Sequence, residues 1–112
     1  MIALRNTLRQ FAAERDWDQF HSPKNLAMAL SVEASELLEH FQWLTETESG
    51  RLPREKLSEV RDEMADVLVY LVRLADKLDV DLLDAAAEKI AKNAQKYPAG
   101  QVRGSMKKYS DY

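Results

Sequence analysis

From Arg54 to Leu78 the chain contains neither glycine nor proline, and its apolar residues Leu57, Val60, Val67, Leu71, Leu74 and Leu78 recur at intervals of three, four and seven. This is the period of a helix that lays one stripe against neighbours of the same kind. The rest of the chain supplies such neighbours. Leu4, Leu8, Phe11 and Ala12 predict a first helix over about residues 2–15, stopping near Asp16-Trp17-Asp18. Ser22-Pro23 is a start signal, because serine caps free backbone N–H groups and proline suits the first helical position. The second helix then carries the stripe Leu26, Leu30, Leu37, Phe41 and Leu44. Thr45 to Pro53, with Gly50 among polar residues, reads as a loop. Asp79 and Asp81 bracket a break, and either suits the cap of a fourth helix from about Leu82 to Tyr97, ended by Pro98 and Gly100. Strand-like alternation and solenoid-length repeats are absent. The expected fold is all-α, a four-helix-type bundle over residues 1–98, followed by a basic, aperiodic tail over 99–112 with Arg103, Lys107, Lys108 and Tyr109.

A single domain of 112 residues buries a core with little margin, so self-association is a natural source of stability. With no cysteine, disulfides, thiolate zinc sites and cysteine nucleophiles are excluded, which fits a reducing, cytoplasmic setting. No apolar run reaches the ~18–20 residues that span a bilayer. Met1-Ile2-Ala3-Leu4-Arg5 lacks the layout of a signal peptide, so a soluble protein without a membrane partner is expected. A net charge of -3 argues against binding a nucleic-acid polymer through its phosphates. A small phosphorylated ligand is still compatible, because bound cations supply positive charge.

The informative anomaly is where certain acids fall. Glu33 stands between Leu30 and Leu37 on the second stripe, at a position where leucine is expected, and Glu36 follows three residues later. Glu63 interrupts Val60 and Val67 in the same way, with Asp66 three residues on. Two helices that each turn a pair of acids inward bring four carboxylates together, at a cost that a hard divalent cation relieves. Mg²⁺, with water and phosphate completing its octahedron, is the common choice. The plainer alternative is that these acids pair with lysine or arginine, or lie in solvent at the edge of the stripe. Glu39, Glu59 and Asp62 flank the seam as solvated or outer acids. His21 and His40 form no His-Glu-x-x-His motif, and Glu-x-x-His pairs of the di-iron kind are missing.

Aromatic residues form a second anomaly. Trp17 stands among Asp16, Asp18 and Gln19, an odd setting for a core residue, and Trp43 comes near the end of the second helix. Tyr70 is one turn beyond Asp66, on the acid-bearing face. Aromatic faces beside a metal and phosphate site suit the stacking of a nucleobase, although tryptophan is commonly core. Asn93, Lys96 and Tyr97 offer donors to phosphate or sugar oxygens, although Lys96 also fits as a simple helix C-terminal cation.

Glu33-Ala-Ser-Glu36 followed by Glu63-Met-Ala-Asp66 resembles the Glu-x-x-Glu and Glu-x-x-Asp signature of the MazG-type nucleoside triphosphate pyrophosphohydrolases. Phe11-Ala-Ala-Glu-Arg-Asp-Trp17, Gln19-Phe-His21, Phe41-Gln-Trp43, Asp66-Val-Leu-Val-Tyr-Leu-Val72, Val80-Asp-Leu82 and Tyr97-Pro98 are similar to the dCTP pyrophosphatase branch of that family. The resemblance implies an all-α homotetramer with active sites near subunit interfaces. It also implies Mg²⁺-dependent hydrolysis of a nucleoside triphosphate, dCTP or a modified dCTP, to the monophosphate and pyrophosphate, as in nucleotide-pool sanitation. By resemblance Glu33, Glu36, Glu63 and Asp66 are the metal ligands, and Trp17 and Trp43 border the base with His21 close by. Tyr70, Asn93 and Lys96 then face sugar or phosphates, and Glu36 or Glu39 takes the proton of the attacking water. Leu8 stands where the dCTP-specific relatives carry a histidine. One alternative is therefore the same chemistry on another nucleotide such as dUTP; the other is a non-catalytic helical oligomerisation or interaction module whose acids are ordinary surface charges.

Overall fold

The second helix begins at Ser22, which is itself extended: its Oγ accepts the N–H of Asn25 at 3.1 Å, and Pro23 takes the first helical position. In the computed structural model, which describes residues 1–97 and 99–102, the chain divides into two units, Met1–Val80 and a second that starts at Asp81. The first unit holds α1 (Ile2–Glu14), a 3-10 turn (Asp18–Phe20), α2 (Pro23–Glu39), α3 (Glu46–Ser49) and α4 (Arg54–Lys77). The second holds α5 (Leu82–Lys96) and α6 (Ala99–Val102). All regular structure among the described residues is helical, as expected, with two one-turn α-helices and the 3-10 turn added to the four long helices.

The sequence reading needs three corrections. First, α2 stops at Glu39, so Phe41 and Leu44 lie in the tight turns that follow it. The backbone tightens there into three-residue bonds, His40 N–H to the Leu37 carbonyl and Phe41 N–H to Leu38, and further on Thr45 turns extended (φ -74°, ψ 165°) to form a capping box with Glu48. That conformation cannot continue a helix, and it nucleates α3 inside the segment read as a loop. Second, the inward face of α4 is not the whole predicted stripe. Val60, Val72 and Ala75 are buried with Ala12 and Leu26, whereas Leu57, Leu71 and Leu78 are exposed. The helix packs along α2 and also on α1, so its contact line is drawn around the helix toward the α1 side. Third, Gly100 lies within α6 instead of ending a helix. The expectations for Pro98 and for Arg103, Lys107, Lys108 and Tyr109 fall outside the described residues.

Two helices end in the same way. After α1, the Trp17 N–H reaches the Ala12 carbonyl (2.9 Å) and the Asp16 N–H reaches Ala13 (3.1 Å), with Asp16 left-handed at φ 52°. After α4, the Val80 N–H reaches Ala75 (2.8 Å) and the Asp79 N–H reaches Asp76 (3.3 Å), with Asp79 at φ 55°. Both are Schellman closures with aspartate in the place that glycine usually takes. The first sets the direction in which Trp17 leaves α1. In the second unit the cap left open between Asp79 and Asp81 is Asp81, whose Oδ1 accepts the Asp84 N–H at 3.0 Å.

Candidate metal and nucleotide site

Three contacts fix how α2 and α4 run. His40 and Glu59 lie 3.8 Å apart, Glu33 and Glu36 meet Glu63, and the turn before α2 reaches Arg73 and Lys77. Residue numbers rise along one helix as they fall along the other, so the pair is antiparallel. The two interrupted stripes therefore face each other at the height of the acids.

Glu33, Glu36 and Glu63 each bring a carboxylate oxygen within 4.8 Å of the others, and all three are half-buried. The oxygens around one octahedral cation lie about 3–4 Å apart, so the spacing suits a shared hard ion. Glu33 Oε2 and Glu63 Oε2 are buried and accept no hydrogen bond. Between two ionised carboxylates neither side is a donor, and only a proton or a cation satisfies both. Burial pushes the Glu33 carboxyl up to about 7, and Glu63, Glu36 and Asp66 beside it push the same way. The alternative of neutralisation by lysine or arginine is not realised here, since none of the ion pairs among the described residues reaches these three acids. The donor set thus fits a divalent cation on its own chemistry.

The other residues picked from the sequence differ in their settings. Asp66 is exposed one turn from Glu63 and stands outside the tight set, although its charge acts on Glu33. Glu39 is exposed at the last position of α2, Tyr70 is half-buried on α4, and Trp43 is 87% exposed in the turns after α2. Trp17 packs edge-on against Phe11 with ring centroids 5.7 Å apart, and the Arg15 guanidinium covers the Phe11 ring at 3.6 Å. Asn93 and Lys96 are exposed, one turn apart on α5 in the second unit. A cavity of about 500 Å³ near α3, lined by Leu44, Leu52, Pro53 and Lys56 among others, contains none of Glu33, Glu36, Glu63 and Asp66.

Arg73 escaped the sequence reading. It is 4% exposed, and its Nη2 donates to Asp18 Oδ1 at 2.9 Å, which Lys77 Nζ also reaches at 2.6 Å. These donors, Lys77 first and Arg73 second, hold the Asp18 carboxyl below its usual range. The available signal was Asp66, Tyr70 and Arg73 at spacings of four and three, which puts the arginine on the same face as the acids.

The model of the MazG-like family matches residues 28–112. Mouse dCTP pyrophosphatase 1 is 46% identical over 110 residues, covering 96% of this chain. Its human counterpart is 46% identical over 111 residues, and in both cases the chain spans 65% of the relative's length. The crystal structure of a pyrophosphatase from Archaeoglobus fulgidus superposes with a TM-score of 0.83 at 41% identity, covering 88% of this chain and 92% of that one.

Proposed function

We propose, on the premise that this chain belongs to the MazG-like family, that it hydrolyses a nucleoside triphosphate, dCTP or a modified dCTP, to the monophosphate and pyrophosphate. The observation that carries the reading is the pair of buried, partnerless oxygens on Glu33 and Glu63 within a three-carboxylate group. Glu33, Glu36 and Glu63 hold Mg²⁺ in this reading, with Asp66 completing the set from one turn away. When bound, the ion supplies charge neutralisation for the phosphates and makes water more acidic.

The chain's own residues do the rest. Glu36 is committed to the acid group, so acceptance of the water's proton falls to Glu39, one turn along α2 and open to solvent. Trp43 and the part of Trp17 left open by Phe11 and Arg15 offer ring surface for stacking, and Tyr70, one turn beyond Asp66, is assigned to the sugar. Asn93 and Lys96 are assigned to sugar or phosphate oxygens by resemblance.

Self-association into a homotetramer belongs to this reading. Its support is a second stripe on α4, where Leu57, Met64, Leu68, Leu71 and Leu78 are exposed at heptad-like spacing beside a small buried core. A reducing, cytoplasmic setting also belongs to it, on the cysteine-free composition.

The test is pyrophosphate release from a panel of dNTPs and NTPs, with Mg²⁺ and with EDTA. Metal-dependent release led by dCTP or a 5-substituted dCTP is expected. Release led by another base would keep the carboxylates and point to Leu8 as the change in base choice. No release from any nucleotide by folded protein would overturn the reading.

A further inference from the structure

The buried guanidinium of Arg73 faces an imidazole. Arg73 Nε lies 3.4 Å and Nη2 lies 3.2 Å from His21 Nδ1. Arginine has donors only and keeps its charge at any pH the fold survives, so His21 Nδ1 is the acceptor and the ring proton sits on Nε2. The same guanidinium binds Asp18 three residues before His21, and its Nη1 lies 3.5 Å from Asp76 Oδ2. Asp76 is held in turn by Arg9 Nε at 2.7 Å, so the fork is fixed from α1 as well. The segment from Trp17 to His21 is thereby tied to α4 about 10 Å, two helical turns, beyond Asp66.

We propose that Arg73 is a positioning residue that locks His21 in the Nε2–H tautomer and pins the Trp17–His21 turn to α4, presenting a fixed hydrogen-bond donor to an acceptor atom on the nucleobase. The claim on the base rests on the proposed nucleotide reading and on the resemblance by which Trp17 borders the base with His21 close by; the tautomer lock stands apart from both. The charged groups facing His21 are Arg73 and Lys77 from α4 and Asp18 from its own turn. Burial and the Arg73 charge hold the imidazole below its ordinary range, with Asp18 opposing, so the neutral ring persists under physiological conditions. A neutral imidazole with its proton held on one nitrogen loses no tautomeric freedom when a ligand arrives.

The experiment joins two readouts. Long-range ¹H–¹⁵N spectra of the full chain with labelled histidine, with His21 assigned through a His40→Gln variant, report which ring nitrogen carries the proton. An unprotonated Nδ1 is expected at neutral pH, with a mixture of tautomers and a raised His21 pKa in Arg73→Met. Steady-state pyrophosphate release should show KM for the preferred nucleotide rising about tenfold or more in Arg73→Met with kcat little changed, and Arg73→Lys lying between. If Arg73→Met does not fold, Arg73→Lys and the spectrum of the unaltered protein decide. A protonated Nδ1 in the unaltered protein would overturn the lock, and a locked tautomer with KM unmoved in both variants would overturn the positioning role. If the unaltered protein releases no pyrophosphate at all, the nucleotide role falls with the function reading, and the spectra still decide the lock.

Discussion

Glu33 on α2 and Glu63 on α4 face one another with one buried oxygen each that no donor reaches. Such a pair works against folding until a proton or a cation arrives, so under the proposed function it links stability to metal. Mg²⁺ at about 100 times its Kd should stabilise the protein by roughly 2.7 kcal/mol. Glu63→Gln should abolish both this thermal shift and turnover. The same variant should leave the metal-free protein as stable as the parent or about 1 kcal/mol more stable, because a neutral amide replaces one of two facing acceptors. Thermal melts with Mg²⁺ and with EDTA check both halves.

The raised Glu33 carboxyl gives a pH dependence with a definite sign. Its value is about 7 in the folded chain against an ordinary 4.5, so the protonated form favours folding. That stabilisation is complete below pH 4.5 and is lost as pH rises through 7. Relative to Glu33→Gln, the metal-free parent should lose stability steadily over this window. Mg²⁺ should bind more tightly at pH 8 than at pH 6, releasing a proton from the parent and not from the variant. Paired denaturation curves and calorimetry in buffers of different ionisation enthalpy measure the two effects.

The places where the structure follows the sequence pattern and where it departs from it have different physics. Glu33 and Glu63 were legible because each breaks an apolar stripe, and a helix carries that stripe onto one face whatever it packs against. The end of α2 was not, because the apolar period continues to Leu44 while the backbone has already left the helix at His40 for a run of tight turns. Phe41 and Leu44 stay half-buried from turns instead of from a helix. On α4 the period predicted a stripe, and Val60 fits it. Which other members go inside depended on α1 as a second partner, a tertiary fact that no spacing encodes. Arg73 was missed for a related reason: its partners Asp18 and His21 are more than fifty residues away in the chain.

Asp79 holds a left-handed backbone at φ 55° in the closure of α4. A side chain there strains the backbone, while glycine adopts the conformation freely. Asp79→Gly should stabilise the chain by about 0.5–1 kcal/mol, net of the extra freedom that glycine brings to the unfolded state. Chemical denaturation of the metal-free protein measures it, with pyrophosphate release unchanged.

The exposed stripe on α4 bears on assembly. Leu68 is at its centre, 39% exposed in the isolated chain. A charge there leaves the inner face of α4 intact and makes burial between copies costly by several kcal/mol. Leu68→Glu should shift the protein toward smaller species in sedimentation velocity while its helix content stays the same. An unchanged distribution would remove this stripe from the interface.

Glu36 and Glu39 are one turn apart on α2 but differ in setting, the first half-buried in the acid group and the second exposed beside it. A metal ligand and a general base should fail differently. Glu36→Gln removes an oxygen from the group, so the Mg²⁺-dependent thermal shift should weaken along with activity. Glu39→Gln leaves the group whole, so the thermal shift should persist. Its kcat should fall about 10²–10⁴-fold, the usual contribution of a positioned base, with KM little affected. The two substitutions together should cost no more in kcat than the worse single one if both act on the same step. Retained kcat in Glu39→Gln would return the proton to Glu36 or to solvent.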